Sequence, residues 1–103
     1  MRIISGKFRG QNLVPFNADH IRPTTDRVKE SLFNRLQFDI EDSRVLDLFS
    51  GTGNLSFESI SRGAKEVQAV ELNKKSVEIF EKNRQKLKVG KDEVKLHKVD
   101  VFK

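Results

Sequence analysis

Apolar residues along the chain gather in three short runs, at residues 45–49, 66–71 and 94–99. The first run, Val-Leu-Asp-Leu-Phe, is nearly continuous and too short for a helix, which is typical of a strand buried in a parallel sheet. The other two runs have the length of strands, and segments with helical spacing separate all three. This β-α-β-α-β order predicts a parallel sheet with right-handed crossovers.

The two segments between these runs predict helices with defined ends. The first helix ends at Gly63, because glycine favours the left-handed turn that closes a helix. The second spans residues 74–88, with Asn73 as its N-cap and Gly90 as its stop signal. Their predicted inward-facing side chains are Leu55, Phe57, Ile60, Val77, Phe80 and Leu87.

The first 36 residues predict a short β-hairpin followed by a helix. Residues 2–14 hold two β-prone runs that are separated by turn residues around Ser5 and Gly6. The helix begins near Thr25 or Asp26, either of which can cap it. We therefore divide the chain into an N-terminal unit, residues 1–36, and an α/β unit, residues 37–103. The predicted inward face of this first helix is Val28, Leu32, Phe33 and Leu36.

Composition limits the possible classes of protein. The chain has 103 residues, of which 36% are hydrophobic and 34% charged, so one small domain with a thin core is expected. The absence of cysteine excludes disulfides, thiolate zinc sites and a cysteine nucleophile, and no metal is predicted. No apolar run approaches a membrane span, and the first residues lack a signal peptide, which predicts a cytoplasmic protein without a membrane partner.

Charge is unevenly distributed along the sequence. Residues 1–35 carry seven Lys/Arg against three Asp/Glu, residues 36–73 carry three against seven, and residues 74–91 carry seven against two. Basic segments attract phosphate backbones, so the N-terminal unit and the helix at 74–88 are candidate nucleic-acid surfaces. Lysines on a helix are equally typical of a solvated face, and both interpretations stay open at this point.

Polar residues that can carry chemistry follow the ends of the predicted strands. Ser50, Gly51, Thr52 and Gly53 follow the first strand, where glycines let the backbone approach a ligand. Glu71 ends the second strand, 18 residues after Gly53, a spacing that suits a carboxylate bonded to ribose hydroxyls. Asp100 follows the third. Ligands of open parallel sheets bind at these carboxyl ends.

The type of cofactor follows from Ser56 and Asp47. Ser56 occupies the third glycine position of a dinucleotide fingerprint, so no pyrophosphate cradle is completed. Asp47, inside the first strand, would repel a pyrophosphate but suits the ammonium and sulfonium groups of S-adenosylmethionine. Purely structural roles are the alternative: Asp47 could brace the turn, the glycines could serve packing, Glu71 could be solvated and Asp100 could belong to a turn.

These motifs resemble a known family. Residues 45–53, Val-Leu-Asp-Leu-Phe-Ser-Gly-Thr-Gly, resemble motif I of class I methyltransferases. Residues 22–34, Arg-Pro-Thr-Thr-Asp-Arg-Val-Lys-Glu-Ser-Leu-Phe-Asn, and residues 2–10 resemble the N-terminal portion of bacterial 16S ribosomal RNA guanine-N2 methyltransferases of the RsmD type. The resemblance implies an incomplete Rossmann-like class I fold, with ribosomal RNA or a small-subunit intermediate as partner.

The resemblance also implies a role for each matching position. Residues that would bind S-adenosylmethionine are Asp47, Ser50, Gly51, Thr52, Gly53, Glu71, Leu72, Asp100 and Val101. Residues that would contact RNA phosphates are Arg2, Lys7, Arg9 and Arg22.

The chain departs from that family at its catalytic motif, an Asn or Asp followed by two prolines and an aromatic residue. Its only prolines, Pro15 and Pro23, are not adjacent, so no catalytic residue is assigned. We expect a fragment that is inactive alone and that self-associates through the edge of the strand at 45–49. The alternatives are an adenine-N6, DNA-directed or other amino methyltransferase of the same fold, a non-catalytic RNA-binding module, and a dinucleotide-binding half-domain that Ser56 disfavours.

Overall fold

The computed structural model describes residues 1–15 and 25–102 of the chain. After an irregular N-terminal segment, residues 1–15, these residues form the elements α1 (Asp26–Arg35), β1 (Arg44–Asp47), α2 (Asn54–Ser61), β2 (Glu66–Val70), α3 (Lys74–Leu87) and β3 (Val94–His97). None of these helices is long and apolar enough to cross a membrane. The order from β1 onward is the predicted β-α-β-α-β.

The three strands form one parallel sheet in the order β1-β2-β3. Val45 lies opposite Val67, and Val67 lies opposite Val94, so the strands run in register through the centre of the sheet. Among the described residues, β1 has a hydrogen-bonded neighbour on one side only. This architecture confirms the predicted fold class, an incomplete Rossmann-like α/β fold.

Two of the predicted helix caps are confirmed, and the predicted span of the helix at residues 74–88 is correct to within one residue. Thr25 accepts the N–H of Val28 at 3.2 Å, and Asn73 accepts the N–H of Ser76 at 3.0 Å. Helix α3 ends at Leu87, one residue earlier than predicted, because Lys88 adopts the left-handed conformation at φ 57°. The early turn has a physical reason, since it places the following Val89 in the core.

One hydrophobic core joins the N-terminal segment to one face of the sheet. Ile3 and Leu13 pack into the same cluster as Phe33 of α1 and the strand residue Val67. The core is therefore continuous across residue 36, and the division into two units there stays a prediction. The large side chains at its centre are Phe57 and Phe80, whose rings lie 4.9 Å apart.

The predicted hairpin at residues 2–14 is a chain reversal with a single antiparallel bridge, between Arg2 and Asn12. Regular strands do not extend from this bridge, because backbone N–H groups of the intervening residues donate to α2 instead. The N–H groups of Ile4 and Ser5 donate to the carboxylate of Glu58, at 2.9 and 3.2 Å, and that of Lys7 donates to the carbonyl of Ser61. The N-terminal segment is thus docked on α2.

The predicted inward face of α1 is wrong in part. Phe33 is buried and Leu36 half-buried, but Val28 is 58% and Leu32 39% exposed, and Lys29 is buried instead. Helix α1 has this orientation because Lys29 forms an ion pair with Glu58 of α2, with its Nζ 3.0 Å from the carboxylate. This pair turns the Lys29 side of the helix towards the core. Leu32 then lines a groove of about 350 Å³ along the open edge of β1.

Candidate functional site

The carboxyl ends of the three strands meet at a small cleft. Its volume is about 150 Å³, and its lining includes the predicted residues Glu71, Leu72, Asp100 and Val101. The aromatic rings of Phe49 and Phe102, with centroids 6.1 Å apart, also belong to its walls. One cleft therefore combines apolar walls with two carboxylates. Residues 1–15 and 25–102 contain no cluster of three or more His, Cys, Asp or Glu side chains that could hold a metal ion.

Glu71 joins the end of β2 to two neighbouring segments. Its Oε1 accepts the N–H of Gly51 at 2.7 Å, and its Oε2 accepts those of Leu72 and Asn73 at 3.2 and 3.0 Å. Glu71 is therefore not simply a solvated strand end. A carboxylate offers about four acceptor positions, so a diol that bonds both oxygens would compete with at least one of these N–H groups.

The two glycines of the loop at residues 50–53 have different reasons to lack a side chain. Gly51 has φ 55°, and a Cβ built on it would meet nothing within 4 Å, so the space beside it is open to a ligand. Gly53 has φ 95°, and a Cβ there would lie 2.4 Å from the ring of Phe57. The packing alternative therefore applies to Gly53, whereas Gly51 fits a loop that a ligand approaches closely.

The other two loop residues, Ser50 and Thr52, are both buried. Ser50 fixes the loop to the sheet, because its N–H donates to the carbonyl of Val70 at 3.0 Å and its Oγ lies 3.3 Å from the same oxygen. Gly53 in turn donates its N–H to the carbonyl of Ser50 at 2.9 Å. The loop is thus held by backbone contacts that leave only Gly51 half-exposed.

Asp47 is the last residue of β1 and is half-buried. It lines the groove along the β1 edge rather than the 150 Å³ cleft. Burial raises the pKa of its carboxyl, and the nearby charge of Glu71 adds to this, whereas a hydrogen bond from the hydroxyl of Ser56 opposes it. That bond, with an oxygen–oxygen distance of 2.7 Å, gives Ser56 a role that its sequence position did not reveal.

Asp100 lies at the far end of the cleft and takes part in a local turn. Its Oδ1 accepts the N–H of Phe102 at 2.9 Å. The alternative that Asp100 belongs to a turn therefore holds for one of its two carboxylate oxygens, Oδ1. The side chain also lines the cleft together with its neighbour Val101, so both of these predicted residues lie where a ligand of the cleft would be.

The predicted RNA-binding cations of the N-terminal segment are exposed. The guanidinium of Arg2 lies 3.2 Å from Asp26, and the Nζ of Lys7 lies 3.7 Å from Glu93. Ion pairs this exposed contribute little, so a phosphate could replace either acid. Arg9 is exposed and forms no ion pair with any residue of the described ranges, whereas Arg22 lies outside those ranges.

A buried charge cluster was missed by sequence reasoning. Glu58 and Lys29 are fully buried, and Arg62 lies 2.7 Å from the second oxygen of Glu58. Burial alone would raise the pKa of Glu58, but the bonds from Arg62, Ile4 and Lys29 outweigh it and lower the pKa. The only sequence signal was the i, i+4 spacing of Glu58 and Arg62.

Lys29 extends this cluster to the N-terminal segment. Its Nζ donates to the carbonyl of Arg2 at 2.6 Å and to the Oδ1 of Asn54 at 2.8 Å, in addition to the pair with Glu58. Three parts of the chain, the N-terminal segment, α1 and α2, are therefore joined through one buried ammonium group.

Comparisons with known proteins agree with this architecture. The family model described as conserved hypothetical protein 95 matches residues 1–103. Ribosomal RNA small subunit methyltransferase D of Haemophilus influenzae is 45% identical over 96 residues, which cover 93% of this chain and 50% of that protein. The chain spans about half the length of the curated relatives it matches.

Two solved structures share the fold. A hypothetical protein of Thermus thermophilus matches with a TM-score of 0.82 at 29% identity, over 99% of this chain and 57% of that one. An RNA methyltransferase from Salinibacter ruber, solved in complex with S-adenosyl-L-homocysteine, matches with a TM-score of 0.68 over 80% of this chain and 52% of that one. Its 22% identity shows the fold alone. Together with the family match, the 45% identity to the H. influenzae protein shows that this chain belongs to the conserved hypothetical protein 95 family, the family of the RsmD-type methyltransferases.

Proposed function

We propose that this chain is the cofactor-binding half of an S-adenosylmethionine-dependent methyltransferase that acts in the cytoplasm on the exocyclic N2 amine of a guanine in 16S ribosomal RNA. One observation carries the proposal: Glu71, Leu72, Asp100 and Val101 line one cleft at the carboxyl ends of the strands. The N–H of Gly51 in the glycine loop, residues 50–53, donates to Glu71 at 2.7 Å and so joins this loop to a residue of the cleft.

The residues of the cleft fit the adenosine portion of this cofactor. Glu71 would accept from the ribose hydroxyls, while Leu72, which is exposed, would pack on the adenine. Asp100 and Val101 would lie beside the adenine edge. Gly51 leaves room for the methionine portion, and the carboxylate of Asp47 would attract its positive groups.

When bound, S-adenosylmethionine supplies a methyl group on a sulfonium that an amine can displace in line. The residues of this chain would bind and orient that group and exclude water. Such positioning of the reacting groups lowers the activation barrier of the methyl transfer. None of its residues is assigned to the target amine, so we propose that the chain alone is inactive. The complete protein would bring the target base to this cleft.

RNA as substrate rests on two observations. The relative from H. influenzae is named for ribosomal RNA, and the N-terminal segment presents exposed cations, of which Arg9 has no acidic partner among the described residues. Arg2 and Lys7 would exchange Asp26 and Glu93 for phosphates. We propose that these three side chains, with Arg22, contact the RNA backbone.

Calorimetric titration with S-adenosylhomocysteine tests the cofactor assignment. We expect weak binding by the wild-type chain and an affinity at least ~10-fold lower for Glu71→Ala, because hydrogen bonds to a charged group contribute about 1.5–3 kcal/mol each. Glu66→Ala is the matched control: it removes the same side chain from the opposite end of β2 and should bind as the wild type does.

Three outcomes of that titration would count against the proposal. Equal binding by Glu71→Ala and the wild type would remove the ribose assignment. Binding of a nicotinamide dinucleotide in preference to S-adenosylhomocysteine would favour a dinucleotide site. Affinity for RNA without affinity for the cofactor would favour a non-catalytic RNA-binding module, in which the exposed lysines of α3, Lys74, Lys82 and Lys86, take part.

The open edge of β1 predicts self-association. Leu46 on this strand is 63% exposed, and the adjoining groove is lined largely by apolar side chains. An unpaired strand edge of this kind pairs readily with another chain. Size-exclusion chromatography with light scattering should show dimers or larger species whose fraction rises with concentration.

Charge at this edge should reverse the association. Leu46→Lys is expected to shift the chain towards monomer, whereas Phe38→Lys, which adds the same charge at an exposed residue outside the sheet, should leave the distribution unchanged. A wild-type chain that stays monomeric at all concentrations would contradict the proposed contact.

A further inference from the structure

Asn83 of α3 is fully buried and uses its amide group to join two distant segments. Its Oδ1 accepts the N–H of Val14 at 2.6 Å, and its Nδ2 lies 3.2 Å from the carbonyl of the same residue. The Nδ2 also donates to the carbonyl of Thr52 at 3.0 Å. One side chain thus connects the end of the N-terminal segment to the glycine loop.

The Thr52 bond fixes the orientation of one peptide group. The carbonyl of the Thr52–Gly53 peptide points to Asn83, and its N–H donates to the carbonyl of Ser50 at 2.9 Å. This peptide lies between Gly51 and Gly53, both of which have positive φ. Glycines give a backbone many accessible conformations, so a loop of this composition needs an external contact to hold one of them.

We propose that Asn83 is a positioning residue that holds the glycine loop, residues 50–53, in its ligand-ready conformation. With the Thr52 carbonyl fixed, the Gly51 N–H stays within 2.7 Å of Glu71, and the space beside Gly51 stays open. The part of this inference that concerns the cofactor rests on the proposed function. The part that concerns the loop does not.

The chemistry of the site requires an amide. An apolar side chain could fill the same volume, but it would leave the Thr52 carbonyl and both backbone groups of Val14 without their partner. A carboxylate could accept from the Val14 N–H but could not donate to either carbonyl. Asparagine is short enough for this position and supplies both an acceptor and two donors.

Amide hydrogen exchange of the ¹⁵N-labelled full chain tests the inference without any ligand. In Asn83→Ala, exchange of the Gly53 amide should accelerate roughly tenfold relative to that of Val67, a core strand amide that reports global unfolding. Asn83→Asp, which keeps the side-chain volume and the Val14 acceptor, should accelerate it as well. This second variant keeps the test available where the alanine variant does not fold.

Ser61→Ala is the matched control. The hydroxyl of Ser61 also ties the N-terminal segment to a helix, through the carbonyl of Ser5 and the N–H of Phe8, but it has no contact with the loop. We expect Gly53 exchange, relative to Val67, to be unchanged in this variant. Equal Gly53 exchange in the Asn83 variants and in Ser61→Ala would overturn the proposal.

Affinity for S-adenosylhomocysteine provides the second readout. Below the melting temperature of each variant, the Asn83 variants should bind roughly tenfold more weakly than Ser61→Ala, because the binding loop is no longer preorganised. Faster Gly53 exchange in a chain whose wild type binds no cofactor would support the loop assignment and contradict the proposed function. Unchanged affinity with faster exchange would overturn the ligand-ready part of the proposal.

Discussion

Glu58→Gln is expected to destabilise the fold by about 3–5 kcal/mol, the usual effect of removing one partner from a buried ion pair. The substitution leaves the fully buried ammonium of Lys29 without a carboxylate, and it weakens the contacts with the N–H groups of Ile4 and Ser5. Domains of this size have a total stability of about 5–15 kcal/mol, so much of the chain population should unfold under mild denaturant. Urea unfolding followed by circular dichroism measures the effect.

The effect should depend on pH in a defined direction. Because the pKa of Glu58 is lowered in the folded state, its contribution to stability is fully present above the ordinary glutamate pKa. It is lost as the pH falls through the lowered value. The difference in unfolding free energy between wild type and Glu58→Gln should therefore be constant near neutrality and shrink in strong acid.

Asp47 should behave in the opposite way. The pKa of Asp47 is raised in the folded state. Ionisation of this carboxyl therefore lowers the free energy of unfolding as the pH rises from the pKa of Asp47 in the unfolded chain towards its pKa in the folded chain.

Two control variants separate the buried charge from other causes. The double variant Lys29→Met/Glu58→Gln removes both charges and should be more stable than Glu58→Gln alone. Arg2→Gln removes the exposed pair with Asp26 and should change stability by less than about 1 kcal/mol. A Glu58→Gln variant as stable as Arg2→Gln would mean that the buried cluster does not hold the N-terminal segment in place.

Gly53→Ala and Gly51→Ala are expected to differ sharply, although both add one methyl group to the same loop. The left-handed conformation costs an alanine about 1–2 kcal/mol at either position. At Gly53 the new Cβ would also collide with the ring of Phe57, which adds about 1–3 kcal/mol of overpacking. Gly51→Ala should therefore keep most of the stability.

Gly51→Ala, although it should keep most of its stability, is expected to lose affinity for the cofactor. Its methyl group would occupy the open space beside the loop, so affinity for S-adenosylhomocysteine should fall even where the variant is fully folded. Thermal unfolding and calorimetric titration of both variants measure the two effects. Equal destabilisation by both substitutions would contradict the packing role of Gly53, and undiminished binding by Gly51→Ala would contradict the ligand role of Gly51.

The sheet and most helix ends were predictable because their causes are local. A capping side chain such as Thr25 or Asn73 acts on an N–H three residues away. The convergence of Glu71 and Asp100 follows from topology, since parallel strands bring their carboxyl ends to one edge. Neither inference needs knowledge of contacts between distant side chains.

The incorrect predictions concern side chains whose positions are determined by contacts with other elements of the fold. Helical spacing placed Val28 and Leu32 inside, but the partner that turns α1, Glu58, lies on another helix. The bonds of Ser56 to Asp47 and of Asn83 to Thr52 likewise join different elements. A polar residue whose partner comes from elsewhere in the fold has the same appearance in a sequence as a solvated one.

The most direct test of the central claim is an amide chemical-shift titration of the ¹⁵N-labelled chain with S-adenosylhomocysteine. A cofactor site at the carboxyl ends of the strands predicts that the largest shifts occur at Gly51, Leu72 and Val101, around the cleft that Glu71 lines. Amides in the N-terminal segment should change little. Shifts confined to that segment or to α1, or no shifts at saturating ligand, would contradict the claim.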